Sequence, residues 1–208
     1  IIKVIGVGGG GSNAVKNMYK QGVHNVSFAI CNTDSQALAK AEIPVKIQLG
    51  QAGLGVGGKR EKGKEAAESS INEIESLFDN DTKMVFITCG MGGGTGTGAA
   101  PVIAHVAREK GLLTVGVVTI PFAFEKRVRI EKALIGVEEM RKNVDALLVI
   151  NNERLCEIYA DGMTTVEQAF AKADDILTVA AKSISEIITT EGIVNRDHLA
   201  MSDLLTLD

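Results

Sequence analysis

Met84-Val85-Phe86-Ile87-Thr88-Cys89-Gly90-Met91-Gly92-Gly93-Gly94-Thr95-Gly96-Thr97-Gly98 runs from an apolar stretch straight into a glycine-rich turn, and a helical pattern from Thr97 to Lys110 follows. The apolar stretch reads as a buried strand. Glycines at a strand-to-helix turn let backbone N–H groups approach phosphate oxygens with no Cβ in the way. The helix start adds a positive dipole end and free donors. A tight turn needs one glycine. Six of the nine residues from 90 to 98 are glycine, which exceeds that need and points to a bound phosphate.

The same order of elements continues on both sides. Residues 1–7 read as a strand and 12–21 as a helix. Val26 to Cys31 is a strand, followed by a short helix through Leu38, and Val45 to Leu49 is a short strand. Glu61 to Phe78 carries Ala67, Ile71, Ile74, Leu77 and Phe78 on one helical face. Leu112 to Ile120 and Ala146 to Ile150 are strands, with a helix over Arg127 to Lys142 between them. Two helical stretches close the pattern, Thr164 to Lys172 and Asp174 to Thr190. Strands alternating with helices imply crossover units, so the expected fold is α/β: a three-layer, mostly parallel Rossmann-like sheet with helices on both faces. Ligands of such sheets bind at the carboxyl ends of the strands. Gly8, Asn32, Gly90, Pro121 and Asn151 each follow a strand and are expected on one rim.

The bulk properties bound the partners. A chain of 208 residues suits one full-sized α/β domain, and its net charge of −4 argues against nucleic acid. Cys31, Cys89 and Cys156 match no metal spacing and read as reduced structural thiols of a cytosolic protein. No long apolar span occurs, so direct membrane insertion is not expected.

The first loop, Gly6-Val7-Gly8-Gly9-Gly10-Gly11-Ser12-Asn13, satisfies G-x-G-x-x-G, and Asp34 ends the second strand. Taken alone, this loop suits NAD(P) as well as any other phosphate ligand. The second loop shifts the balance, because two glycine-rich turns on one rim suit a triphosphate gripped from two sides. Neither loop contains the G-x-x-x-x-G-K-[ST] pattern or a lysine, so the γ-phosphate would rest on backbone amides, a helix dipole and a metal. A nicotinamide dehydrogenase is the competing enzyme class. It lacks a hydride-transfer candidate, since His24, His105 and His198 belong to no constellation.

Gly92 to Gly98 reads G-G-G-T-G-T-G and resembles the signature of the tubulin/FtsZ family. The resemblance covers nearly the whole chain. Lys3 to Gly11 is similar to the family's first loop and Ile30-Cys31-Asn32-Thr33-Asp34 to its second. Gly53-Leu54-Gly55-Val56-Gly57-Gly58 resembles the third, Thr119-Ile120-Pro121-Phe122-Ala123-Phe124-Glu125 the fifth, and Asn151-Asn152-Glu153-Arg154-Leu155 the sixth. These motifs stand nearer the FtsZ branch than tubulin.

The resemblance implies GTP or GDP as ligand, with Mg2+, and assigns roles. Gly9, Gly10, Gly11 and Asn13 would contact the α- and β-phosphates. Gly93, Gly94, Thr95, Gly96 and Thr97 would hold the β- and γ-phosphates. Glu125 would take the ribose hydroxyls, with Arg129 one turn on, although by themselves these two read as a solvated i, i+4 ion pair. Asn152 and Asp174 would read the base and Phe170 would stack on it. A carboxylate at Asp174 accepts from guanine N1–H and the exocyclic amine, whereas adenine presents a lone pair there. Without the family, Asp174 reads as a helix N-cap. No residue is assigned as a metal ligand.

The resemblance also implies a GTPase that polymerises head to tail into the bacterial division ring, in the cytoplasm at mid-cell. Its partners would be further copies of itself and, through segments outside this sequence, division-ring and membrane-tether proteins. In such a filament the neighbouring subunit supplies an acidic loop, N-x-D-F-A-D, that completes hydrolysis. Here Asn195 and Asp197 align with it, so Asp197 is the catalytic candidate, acting on the neighbour's nucleotide. Ala200 stands at the second acidic position, which impairs hydrolysis or leaves a nucleotide-binding protein without it. Lys59-Arg60 replaces the usual Asn-Pro after the third loop and either brings two cations near the triphosphate or points them to water. The expected organisation is a GTP-binding domain over 1–173, a central helix over 174–191, and a partial catalytic loop with an atypical tail, native or non-native, over 192–208. The family's C-terminal domain lies outside this sequence. Without it, the apolar residues Ile184, Ile187 and Ile188 would be partly bare.

Overall fold

Buried strand and helix alternate along the chain, and the computed structural model describes residues 2–23, 26–154 and 165–189; within the last segment the side chains of 166, 174, 177, 181 and 184–189 are not considered. Strands β1 (Ile2–Val7), β2 (Val26–Asn32), β3 (Val45–Gln48), β4 (Met84–Gly90), β5 (Leu113–Ile120) and β6 (Ala146–Asn151) form one sheet in the order β3-β2-β1-β4-β5-β6. Every neighbouring pair is parallel. The helices are α1 (Gly8–Lys20), α2 (Ser35–Ala39), α3 (Arg60–Glu68), α4 (Ile71–Glu75), α5 (Thr95–Glu109), α6 (Arg127–Lys142) and α7 (Val166–Thr189). A short 3-10 turn, Ala123–Glu125, precedes α6. This is the Rossmann-like, three-layer arrangement expected from the alternation.

Strand side chains alternate between two cores, as the period of two requires. Ile5, Val7, Val85, Ile87 and Cys89 face the layer of α3, α4, α5 and α6. Ile2, Val4, Phe28, Ile30, Met84 and Phe86 face Ala14, Val15 and Met18 of α1, with Leu38 of α2. Helix α7 joins this second layer. Ala180 packs against it, and the Thr178 hydroxyl donates to the Ala14 carbonyl at 3.5 Å. Four alanines of α5 (99, 100, 104 and 107) are fully buried, so the absence of bulk lets this helix lie close to the central strands.

Three segments differ from the sequence expectation. The single helix expected over Glu61 to Phe78 is two, broken at Ser69-Ser70. The Ser69 hydroxyl donates back to the Ala66 carbonyl at 2.9 Å, and the buried Ser70 hydroxyl accepts from the Gly50 N–H at 2.9 Å. Both serines thus spend side-chain bonds on ending a helix. The two helices expected around residue 173 are one, continuous through Asp174, so Asp174 lies inside α7 and is not its N-cap. Ala169 and Ala173, one turn apart, bury against Phe122 and carry the apolar stripe across the expected break. Finally, α1 and α5 start at Gly8 and Thr95, earlier than their apolar patterns. Gly8 to Gly11 of the first turn, and Gly96 and Gly98 of the second, therefore occupy first helical turns.

No helix among the described residues is long and apolar enough to cross a membrane. Burial pushes the thiols of Cys31 and Cys89 up to about 12. A raised pKa keeps both as unreactive thiols at ordinary pH. In a Cys156→Ser variant at pH 8, a chromogenic disulfide reagent should titrate no thiol in the native chain and both after unfolding. Fast native-state reaction would contradict the packing described.

Candidate nucleotide site at the β1–β4 rim

β1 and β4 are neighbours in register, Val7 opposite Cys89. The chain leaves β1 into α1 on one face and leaves β4 into α5 on the other. This is the topological switch point of an open parallel sheet, where a crevice opens between diverging connections. Gly8, Gly90, Pro121 and Asn151, with Asn32, all fall at the carboxyl ends of their strands, on the one rim expected.

The glycines there divide by what surrounds them. Gly8 has φ +71°, and a Cβ on it would stand 2.9 Å from the Gly96 nitrogen. On Gly11 a Cβ would collide with the Thr88 carbonyl, and on Gly98 with the Arg60 carbonyl. These positions are glycine because backbone passes against backbone. Gly9 and Gly93 have nothing within 4 Å on that side, and they border open space. The glycine excess read from sequence as phosphate contact is therefore partly a packing requirement.

Neither α1 nor α5 has a side-chain cap or an acidic residue in its first turn. Their leading amides and positive dipole ends are left for an anion. Asp34, the acid a dinucleotide reading needs, instead caps α2, accepting from Gln36 N at 2.9 Å and Ala37 N at 3.1 Å. The Thr97 hydroxyl is fully buried and accepts from Gly92 N–H at 2.9 Å, so that side chain braces the turn and only its backbone remains for a ligand. The Thr33 and Thr95 hydroxyls are 2.7 Å apart and tie the second loop to the start of α5.

Loop 53–58 lies beside this pair of turns. Ser35 N donates to Gly53 O and Gly55 N to Thr33 O, both at 3.0 Å. Val56 Cγ2 sits 2.5 Å from where a Gly94 Cβ would be. Arg60 does not turn to the rim. It pairs with Glu139 of α6 and with Glu61, and Lys59 is exposed.

Further along the rim, Glu125 uses both carboxylate oxygens. Oε1 accepts from Phe122 N at 3.1 Å and Oε2 from Arg129 Nη1 at 2.7 Å. The i, i+4 pair is thus formed, with the carboxylate largely buried and the guanidinium half exposed. Glu153 anchors the same turn by accepting from Ala123 N at 2.7 Å. Phe122 stacks on Phe124 at 4.9 Å, and Phe170 stands edge-on to Phe122 at 5.1 Å. Phe170 is 40% exposed and so keeps free ring surface at the N-terminal end of α7. Asn152 is buried, and its Oδ1 has no partner, which is costly unless a ligand donates to it. Asp174 follows Phe170 by one turn of α7. Asp197 lies outside the described residues, as do Asn195 and Ala200.

The two glycine turns meet at the β1–β4 rim, and Glu125, Arg129, Glu153 and the three phenylalanines gather around the turn that follows β5. Sequence reading missed three parts of this arrangement: the Thr33–Thr95 hydroxyl pair, the Phe122–Phe124–Phe170 cluster and the contacts made by α6. The Phe-Ala-Phe spacing signalled the second. The others join residues far apart in the chain, and no local pattern marks them.

A switch-point crevice flanked by two uncapped, acid-free glycine turns defines the class: an α/β phosphate-ligand domain. Comparison with known proteins narrows it. Residues 1–160 match the model of the tubulin/FtsZ family, GTPase domain. The chain belongs to that family. It is 59% identical over 211 residues to the cell division protein FtsZ of Porphyromonas gingivalis, covering 98% of this chain and 46% of that protein. It is 48% identical to the FtsZ of Aquifex aeolicus, over 94% of this chain and 54% of the relative. The chain therefore spans about half the length of the curated relatives it matches. Among solved structures, an empty FtsZ dimer from M. jannaschii superposes with a TM-score of 0.92 at 40% identity, covering 99% of this chain and 60% of that one. A GTPgS-bound protofilament of CetZ2 from Haloferax volcanii shares the fold, with a TM-score of 0.79 at 21% identity over 91% of this chain and 60% of that one.

The two kinds of glycine should separate on substitution. Gly11→Ala and Gly98→Ala force a methyl into backbone and should lower stability by about 1–3 kcal/mol, the usual cost of overpacking. Gly9→Ala and Gly93→Ala add it to open space and should leave Tm nearly unchanged. Thermal melts of the four variants decide this, and equal losses in all four would refute the division.

Proposed function

We propose that this chain binds GTP or GDP at the β1–β4 rim as the nucleotide domain of an FtsZ-like cytoskeletal GTPase. The observation that carries the reading is the pair of uncapped, acid-free helix starts, α1 and α5, converging on one crevice. A diphosphate or triphosphate needs donors on two sides, and the leading amides of the two helices supply them. Gly9, Gly10, Gly11 and Asn13 take the α- and β-phosphates, and Gly93, Gly94, Thr95, Gly96 and Thr97 take the β- and γ-phosphates. Glu125, partnered by Arg129, accepts from the ribose hydroxyls. Phe170 stacks on the base, while Asn152 and Asp174 read its edge. The unpaired Asn152 Oδ1 supports this, since a guanine N–H would satisfy it.

The described residues contain no cluster of three metal-ligating side chains. Mg2+ would enter with the nucleotide and would neutralise phosphate charge there. The protein's part is to fix the phosphates by backbone donors and to keep the triphosphate oriented.

Cleavage is a separate task. Copies of the full-length protein associate head to tail, and the Asp197 loop of one reaches the nucleotide of the next. Family membership and the likeness to the FtsZ dimer from M. jannaschii support self-association. The division ring at mid-cell and the tethering partners rest on the relatives' names and on segments outside this sequence.

Protein purified without added nucleotide, denatured and chromatographed, should release GDP or GTP. Affinity for GTP should exceed that for ATP by on the order of 10⁴-fold, because adenine leaves the Asp174 carboxylate unpaired. Any GTP turnover should rise more steeply than protein concentration. Equal affinity for ATP would overturn the base assignment, and concentration-independent turnover by dilute monomer would overturn shared catalysis.

A further inference from the structure

One face of α6 contacts the turn after β5, loop 53–58, the second glycine turn and the start of α3. Arg129, Lys132, Gly136, Glu139 and Asn143 recur at three- and four-residue spacing and so form one stripe. Arg129 bonds Glu125 at the ribose end. Lys132 Nζ donates to the Gly58 carbonyl at 3.0 Å, at the end of loop 53–58. Gly136 lets the helix approach the phosphate turn, where a Cβ would stand 2.5 Å from Thr97 Cγ2 and 2.9 Å from Met91 Sδ. Glu139 takes the Arg60 guanidinium, a half-buried charge-assisted bond at the first residue of α3. Glu139 raises the Arg60 pKa above its ordinary value, and the Asn143 amide closes the end of α6 by donating to the Glu139 backbone carbonyl at 2.8 Å.

Loop 53–58 has reason to need this support. Gly53, Gly55, Gly57 and Gly58 all have positive φ, so the segment is rich in backbone freedom. Leu54 is 88% exposed, so little apolar burial holds the loop. Its C-terminal end nonetheless packs on the phosphate turn. The Lys59 nitrogen lies 3.0 Å from the Gly94 Cβ position, and Gly63 of α3 packs against the Gly94 carbonyl. Two polar contacts from α6 flank this seat, one on Gly58 and one on Arg60.

We propose that α6 is a clamp that holds loop 53–58 closed over the phosphate turn before ligand arrives, through Lys132 on the Gly58 carbonyl and Glu139 on Arg60. Arg60 is then a positioning residue and not a phosphate ligand, and the cation at this place serves the loop. The effect on nucleotide release rests on the function proposed above; the effect on the loop does not.

The test uses the whole chain and two readouts. Hydrogen exchange is followed in the nucleotide-free protein at the Gly55 and Lys59 amides, which are bonded to the Thr33 and Val56 carbonyls. Release of a fluorescent GDP analogue is followed separately. Lys132→Met together with Glu139→Gln should speed exchange at both amides by about fivefold, the scale of losing partly exposed polar contacts. Release of the analogue should quicken by a similar factor. Arg60→Glu with Glu139→Arg restores the pair with reversed polarity and should return exchange to near the parent rate. Lys132→Met alone, a surface change, serves should the double variant fail to fold, and should give a smaller acceleration at the same amides. Unchanged exchange in folded variants overturns the clamp, as does a reversed pair no better than Glu139→Gln. A chain that binds no guanine nucleotide would sink the functional reading while the exchange result still decides the clamp.

Discussion

Backbone lies against backbone where β1 meets β4, with no side chain between, and the site follows from that contact. Gly11 sits on the Thr88 carbonyl and Gly8 beside the Gly96 nitrogen. Any larger residue at either place would separate the two turns. Because the turns touch, the two helix starts converge although their helices cover opposite faces of the sheet. One crevice thus collects two sets of free amides. The sheet order makes β1 and β4 neighbours; the glycines let the two turns that follow them touch.

Much of the architecture was legible in the sequence, because apolar strand runs and amphipathic helices have periods that local reading detects. The failures were local as well. Ser69-Ser70 looked tolerable within an apolar stripe, and only the contact of Ser70 with Gly50 shows why the helix stops there. Asp174 looked like a cap because short polar residues favour caps, but Phe122 packs across that point and the helix continues. The glycine turns were recognised as phosphate-binding candidates, yet sequence alone cannot separate Gly9, which faces open space, from Gly98, which faces a carbonyl. That distinction depends on what the fold brings opposite each residue.

The polar residues were harder still. Glu125 and Arg129 could be read as an ion pair or as ribose ligands, and the structure shows the pair formed with the carboxylate held by two donors. The two readings do not conflict: a carboxylate already oriented by Phe122 N–H and Arg129 is preorganised to accept a further bond. Arg60 shows the opposite case. Its charge suggested phosphate, but Glu139 lies on a helix far along the chain and claims it. The reading of nucleotide binding rests on the starts of α1 and α5, whereas the reading of cleavage rests on Asp197 and on a neighbouring subunit.

Amide chemical shifts measured while GDP and Mg2+ are titrated into the isotope-labelled chain test the central claim most directly. If both turns grip the phosphates, the amides of Gly9 and Gly10 and those of Gly93 and Thr95 should shift together, along one saturation curve. Shifts confined to the first turn, or to neither, would contradict the account.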